Sequence, residues 1–249
     1  MLKNFTHDYK EIFTKRGGDY HKAMLSCPLA RNKEFEQIVK IAEISDGMKV
    51  IDCPSGGGYL RNYIEHDIDL VPVEFTNAFN DRAEKGEILL SPDGKIPLDD
   101  NIGDRVISLA GLHHKDNLQL FLHEIYRCLK PEGLFAVSDV LLGSDVDRFL
   151  NIFVHENSTM GHEGKFLIPD VFCEELSKVG FKVKSIDRVN YNWQFYSIAQ
   201  MVEFCKLLFG IDKASDSQVE GGIREYLGVN EENGTYNMPW ELLFVSALK

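Results

Sequence analysis

The 249-residue sequence predicts an α/β domain built on a doubly wound, mainly parallel sheet with helices on both faces. Three observations carry this reading. Strand-like and helix-like stretches alternate from Ile51 to about Val189. An apolar strand, Lys49 to Asp52, runs straight into the glycine-rich turn Cys53-Pro54-Ser55-Gly56-Gly57-Gly58. No linker, repeat or low-complexity segment divides a chain long enough to bury one sizeable core. In such sheets ligands lie beyond the carboxyl ends of the strands, where the strand order reverses. Asp52, Glu74 and Ala110-Gly111 all end predicted strands, so they converge on one edge.

Taken in order, residues 1–45 read as a helical cap, 46–190 as the core, 191–238 as a helical insertion and 239–249 as a final strand of one domain. The first strand ends on Asp52, and the turn after it reads as a ligand cradle. Glycine lets backbone N–H groups approach a bound molecule, and the start of the helix expected at Tyr59 offers more of them. The bland alternative is a tight corner of an α/β domain. A dinucleotide fingerprint needs a small residue where Arg61 stands, and a P-loop needs Lys-Ser or Lys-Thr where Tyr59-Leu60 stand. The second strand, Ile68 to Phe75, ends in the carboxylate of Glu74. Ile96-Pro97-Leu98-Asp99-Asp100-Asn101 then turns into the fourth strand, Gly103 to Ser108. Ala110-Gly111-Leu112-His113-His114 follows, and a helix runs through Leu118, Phe121, Leu122 and Ile125. Leu129-Lys130-Pro131-Glu132-Gly133 leads into the fifth strand, Leu134 to Ser138. A helix begins near Pro169, a sixth strand spans Phe181 to Val189, and the last strand spans Glu241 to Ala247.

This succession resembles the class I S-adenosylmethionine (SAM)-dependent methyltransferases of the small-molecule type, most strongly from Val50 to Val140. Asp52, Gly56 and Gly58 match the acidic-x-Gly-x-Gly-x-Gly motif, with Pro54 in place of the first glycine, which fixes φ and removes one donor. The resemblance implies a Rossmann-like sheet of seven strands, with the last antiparallel beside the sixth. It implies SAM as cofactor, held by Asp52, Pro54, Ser55, Gly56, Gly58 and Tyr59, by Glu74 and Phe75 at the ribose, and by Ala110 and Gly111. A carboxylate only accepts hydrogen bonds and suits two ribose hydroxyls. At the adenine the nearest candidate is Asp93, with Ser91 next. Family members often fold an amino-terminal segment over the cofactor, which makes Tyr20 a candidate to pack on SAM and Arg31 to pair its carboxylate. For each, an ordinary helix with surface charges is an equal alternative.

Composition narrows the acceptor. With a formal net charge of -12 and no Lys/Arg run, the chain lacks the basic surface that nucleic-acid binding requires. No stretch is apolar enough for a signal peptide or a membrane span, so a cytoplasmic location without membrane partners is expected. Cys27, Cys53, Cys128, Cys173 and Cys205 form no C-x-x-C pair and read as free, buried thiols. The expected partner is a small-molecule or carrier-bound acyl acceptor, methylated on oxygen or nitrogen. The alternative class is a SAM-binding partner protein without turnover.

Three features bear on that acceptor. His113 and His114 are the candidate general bases, since imidazole titrates in the useful range; core hydrogen bonding is the alternative. A carboxylate acceptor, already ionised, needs no base. His155 and His162 sit in an acceptor-lining loop whose spacing is not His-Glu-x-x-His, so no metal is expected. The insertion, with apolar residues at helical spacing over Ile198 to Phe209, is entered through Tyr191, Trp193, Phe195 and Tyr196. Those rings are candidates either for hairpin packing or for the wall of an apolar acceptor pocket.

Overall fold

The computed structural model describes residues 9–79, 88–91, 94–115 and 117–249. Its α-helices are α1 (Tyr9–Ser26), α2 (Asn32–Ala42), α3 (Leu118–Cys128), α4 (Asp145–Arg148), α5 (His155–Asn157), α6 (Pro169–Val179), α7 (Ile198–Phe209) and α8 (Asp216–Tyr226). Its strands are β1 (Lys49–Asp52), β2 (Asp69–Glu74), β3 (Ile88–Leu89), β4 (Gly103–Leu109), β5 (Leu129–Asp139), β6 (Lys182–Phe195), β7 (Asn230–Glu232) and β8 (Thr235–Leu248). The sheet order is β3-β2-β1-β4-β5-β8-β6, and the short β7 adds an eighth strand beside β8. β3, β2, β1, β4 and β5 are parallel, and β8 runs antiparallel between β5 and β6, as expected. The strand order reverses between β1 and β4. The glycine turn after β1 and Ala110-Gly111 after β4 therefore flank the crevice where ligands bind in such sheets.

Both faces of the sheet are covered. On one face α1, α2, α7 and α8 bury Met24, Phe35, Ile38, Phe204 and Val219 against Val50, Ile107, Trp193 and Trp240. On the other, α3 and α6 bury Phe121, Leu122, Phe172 and Leu176 against Ile51, Val106, Phe135 and Val245. Each large apolar side chain removed from water contributes roughly 1.5–3 kcal/mol, so these two layers supply the main drive for the fold. The two helices of the insertion have local start signals. Ser197 caps α7 by accepting from Gln200 N, and Ser215 with Gln218 forms a capping box on α8.

Two local expectations are corrected. The α-helix expected after the glycine turn is a five-residue 3₁₀ segment, Tyr59–Tyr63, with no side-chain cap. Few residues separate the turn from β2, and α2 holds this segment instead: Tyr63 stacks on Phe35 at 4.6 Å and donates to Asn32 Oδ1 at 2.7 Å. β6 and β8 also run well past the strand ends read from the sequence. Tyr191, Trp193 and Phe195 thus belong to β6 and pair with Trp240, Met238 and Tyr236 of β8, so strand pairing crosses the boundaries drawn at 190 and 238. Cross-strand aromatic packing, with Trp193 on Trp240 at 4.0 Å, carries the strands outward. The cysteines are free, and all but the half-buried Cys173 are buried. Among the described residues no helix is long and apolar enough to cross a membrane.

Candidate functional site

The site starts at the end of β1. Asp52 is buried there, the Cys53–Pro54 peptide bond is cis, and Gly56, Gly57 and Gly58 have φ of 55°, 91° and 78°. Three successive left-handed residues exclude ordinary side chains. A Cβ at Gly57 would lie 3.3 Å from the Tyr59 ring, and one at Gly56 would lie 3.8 Å from the Tyr20 hydroxyl, so this is a backbone cradle under an aromatic lid. Glu74, fully buried at the end of β2, accepts from Gly56 N at 2.8 Å and Phe75 N at 2.6 Å. At the end of β4, Ala110 holds φ of 50°, and a Cβ at Gly111 would lie 2.4 Å from Pro54 Cγ. The two strand ends therefore touch through a contact that only glycine permits.

Two adjoining hollows open on this edge. The smaller, about 320 Å³, lies on Asp52, Ser55, Gly56 and Tyr59 under Tyr20 and Arg31. The larger, about 790 Å³ with its mouth included, shares Tyr20, Arg31, Pro54, Gly56 and Leu109 with it. It extends to a histidine wall of His113, His114 and His162 and an aromatic floor of Trp193, Phe209 and Trp240. A glycine cradle, a strand-end carboxylate and an adjoining chamber fit a nucleoside-bearing cofactor beside an acceptor.

The histidine wall is wired from behind. Asp139, fully buried at the end of β5, accepts from His113 Nδ1 at 2.6 Å, Val140 N at 2.7 Å, Leu112 N at 2.8 Å and His113 N at 3.1 Å. A carboxylate only accepts, so His113 carries its proton on Nδ1 and turns the Nε2 lone pair away from Asp139. His162 is held by Asn151, which lies in a π-helical segment, Phe149–Val154, with Nδ1 to Oδ1 at 3.0 Å. Burial pushes His114 and His162 well below the ordinary histidine value, so both are neutral at pH 7. Arg16 of α1 reaches the same chamber. Burial pulls its guanidinium down to about 10, Nη2 donates to Leu208 O at 2.6 Å, and Nε has no partner among the described residues.

The structure brings together most residues read from the sequence. Pro54, Gly56, Ala110, His113, His114, Tyr20, Arg31 and Trp193 line the chamber, and Asp52, Ser55 and Tyr59 line the hollow beside it. Gly58 completes the turn, and Phe75 lies under the Lys115 ammonium, 3.1 Å from its ring centre. Asp93 lies outside the described residues, and Ser91 closes a local turn through Lys95. Arg31 is ion-paired with Glu34, donates to the Tyr20 hydroxyl at 2.8 Å, and is buried. The acceptor candidates divide. Trp193 is in the chamber but is also core, donating to Glu34 Oε2 at 3.1 Å. His155 braces the 155–162 loop through Nδ1 and His162 O at 2.9 Å, Tyr191 packs on Phe244, and Tyr196 is 73% exposed. None of these last three lines the chamber.

Sequence reasoning missed Asp139, Asn151, Glu34 and Arg16. The acidic residue ending the apolar run Leu134 to Ser138 was a usable signal for Asp139, by the same logic that singles out Asp52 and Glu74. Arg16 and Glu34 gave none, because they reach the chamber through Leu208 and Trp193, 192 and 159 positions away.

Comparison with known proteins agrees with this geometry. Residues 51–137 match the family described as methyltransferase domain. Over 154 residues the chain is 25% identical to the cyclopropane-fatty-acyl-phospholipid synthase of Escherichia coli, covering 57% of this chain and 40% of that protein. Among solved structures, a SAM-dependent methyltransferase from Thermotoga maritima, described as a possible histamine N-methyltransferase, superposes with a TM-score of 0.61 at 18% identity, over 96% of this chain and 98% of the other. The phosphoethanolamine N-methyltransferase 2 of Haemonchus contortus, in complex with phosphomonomethylethanolamine and S-adenosylhomocysteine, does so with a TM-score of 0.60 at 16% identity, over 87% and 52%. At these identities the structural likeness is one of fold.

Proposed function

We propose that this chain, which belongs to the class I SAM-dependent methyltransferases and uses SAM as cofactor, methylates an oxygen or nitrogen atom of a small-molecule or carrier-bound acyl acceptor presented to the histidine wall. The observation that carries this reading is the His113–Asp139 pair at the rim of the chamber that opens off the glycine turn.

The turn residues 56–58 and Glu74 are the proposed cofactor holders, with Tyr20 above them. Bound SAM supplies an electrophilic methyl group on a sulfonium. The chain's own residues align the acceptor and exclude water from it. Trp193 and Trp240, stacked at 4.0 Å, offer a flat apolar face for the acceptor's body. His113 takes the acceptor's proton on Nε2, and Asp139 holds the ring in that tautomer and steadies the imidazolium that forms. This role suits a hydroxyl or protonated amine. The curated relative is named for a fatty-acyl phospholipid, and the worm enzyme was captured with phosphomonomethylethanolamine. Both names support a small or lipid-borne acceptor over a macromolecular one.

The test is transfer of an isotope-labelled methyl group from SAM into fractions of a cell extract, separated by size. Label in a small-molecule or carrier-protein fraction, made by the wild type and not by Asp139→Asn, is the expected result. Tight SAM binding with no label transferred to any fraction would point to the non-catalytic alternative.

A further inference from the structure

We propose that His113, His114 and His162 form a binding site for one divalent transition-metal ion of the zinc, cobalt or nickel kind. One ring nitrogen from each lies within 4.8 Å of the other two, on three side chains that share a wall of the chamber. Two tautomers follow from the hydrogen bonds behind them. His113 gives its Nδ1 proton to Asp139 Oδ1 at 2.6 Å. Asn151 accepts through Oδ1 from Gly164 N at 2.8 Å and donates through Nδ2 to Gly164 O at 3.0 Å and Asp147 Oδ1 at 3.1 Å. Its amide is therefore oriented, and the His162 Nδ1 at 3.0 Å from Oδ1 must be a donor. Both rings are left with an unprotonated Nε2, the form in which imidazole binds a metal.

The surroundings have the layout of a metal centre. A ligating imidazole whose other nitrogen is held by a carboxylate or carbonyl oxygen is the usual outer-shell arrangement, and here Asp139 and Asn151 supply it. Three protein nitrogens facing a chamber leave a further position open on the chamber side. Imidazole favours zinc, nickel or copper over magnesium or calcium, which prefer oxygen ligands. Arg16 adds positive charge to the same chamber, which lowers its affinity for a cation. An ion on His113 Nε2 and a proton taken up there exclude each other. The consequence, which rests on the base role proposed above, is that a bound ion suppresses methyl transfer.

The experiment is titration of chelator-treated protein with Co²⁺ in the absence of SAM and acceptor. One ion per chain is expected, with the intense visible absorption of low-coordinate cobalt, displaced by Zn²⁺. His162→Ala should abolish this binding, and Asn151→Ala, which removes no ligand, should weaken it by about ten- to a hundredfold. Should His162→Ala fail to fold, nitrogen NMR of wild-type imidazoles reads the same site: Zn²⁺ should move the Nε2 resonances of His113 and His162 and one ring-nitrogen resonance of His114, and not those of the other histidines. The pale spectrum of fully hydrated cobalt, undiminished binding in a folded His162→Ala, or unmoved Nε2 resonances would overturn the site and leave the methyl-transfer reading intact. Binding by this site with methyl transfer unchanged would uphold the site and remove the base role instead.

Discussion

Replacing Asp139 by asparagine keeps the shape of the side chain and removes one acceptor. The carboxylate takes four donors, two on each oxygen: His113 Nδ1 and Val140 N on Oδ1, Leu112 N and His113 N on Oδ2. An amide retains one oxygen, so two donors each lose a charged acceptor whichever way it turns. At about 1.5–3 kcal/mol for each bond to a charged group, the loss is roughly 3–6 kcal/mol. That is a large part of the 5–15 kcal/mol typical of a whole domain, so folding must be checked by thermal melting before any rate is compared. With the amide N–H toward His113, the imidazole is driven to the other tautomer, and Nε2 carries the proton that it should be accepting. A general base contributes about a hundredfold to ten-thousandfold, so kcat should fall by that factor in the folded variant. SAM affinity, measured by calorimetry, should stay within a few fold, because Glu74 and the glycine turn are untouched. Wild-type turnover in folded Asp139→Asn, or a loss confined to SAM affinity, would refute the assignment of His113 as base.

Glu74→Ala should weaken SAM binding by about ten- to a hundredfold, since its charge-assisted bonds contribute roughly 1.5–3 kcal/mol; unchanged calorimetric affinity in a folded variant would remove Glu74 from the cofactor site. Gly111→Ala places a methyl 2.4 Å from Pro54 Cγ and should destabilise the protein by about 1–3 kcal/mol while pushing the two strand ends apart, seen as a lower melting temperature together with weaker SAM binding. Glu124 is held below its usual range by Arg127, whose Nε and Nη2 lie 3.0 and 2.8 Å away, and by Ile96 N at 2.9 Å. Its contribution to stability is therefore fully present above pH 4.5 and lost as pH falls through the native value, so denaturant melts should show a steeper acid loss in the wild type than in Glu124→Gln.

The parts of the site legible in the sequence are those encoded locally. Asp52, the three glycines and Glu74 are a strand end, a turn and the next strand end, and each keeps its meaning within a few residues. The extension of β6 had a local signal, since Val189, Tyr191, Trp193 and Phe195 alternate with Asn190, Asn192 and Gln194 at the period of a half-buried strand, but the pairing that carries it to Phe195 is with residues on the far side of the insertion. The histidine wall was half legible. The His113-His114 pair stands out after β4, but Asp139 and His162 reach it from β5 and from the loop beyond the π-helical segment. The same distance explains Trp193: its hydrogen bond to Glu34 spans 159 positions and makes it core as well as chamber wall. Arg31, by contrast, finds its partner in Glu34 three positions on, within its own cap.

The central claim is that the reactive methyl group of bound SAM faces the histidine wall. The direct measurement is a nuclear Overhauser experiment on the complex with SAM labelled at its methyl carbon. Through-space contacts from that methyl to ring protons of His113 or His114, lost when His113 and His114 are replaced in turn, are the predicted result. Contacts only to residues of the smaller hollow, such as Tyr59 or Leu60, would place the methyl on the wrong side of the glycine turn and contradict the account.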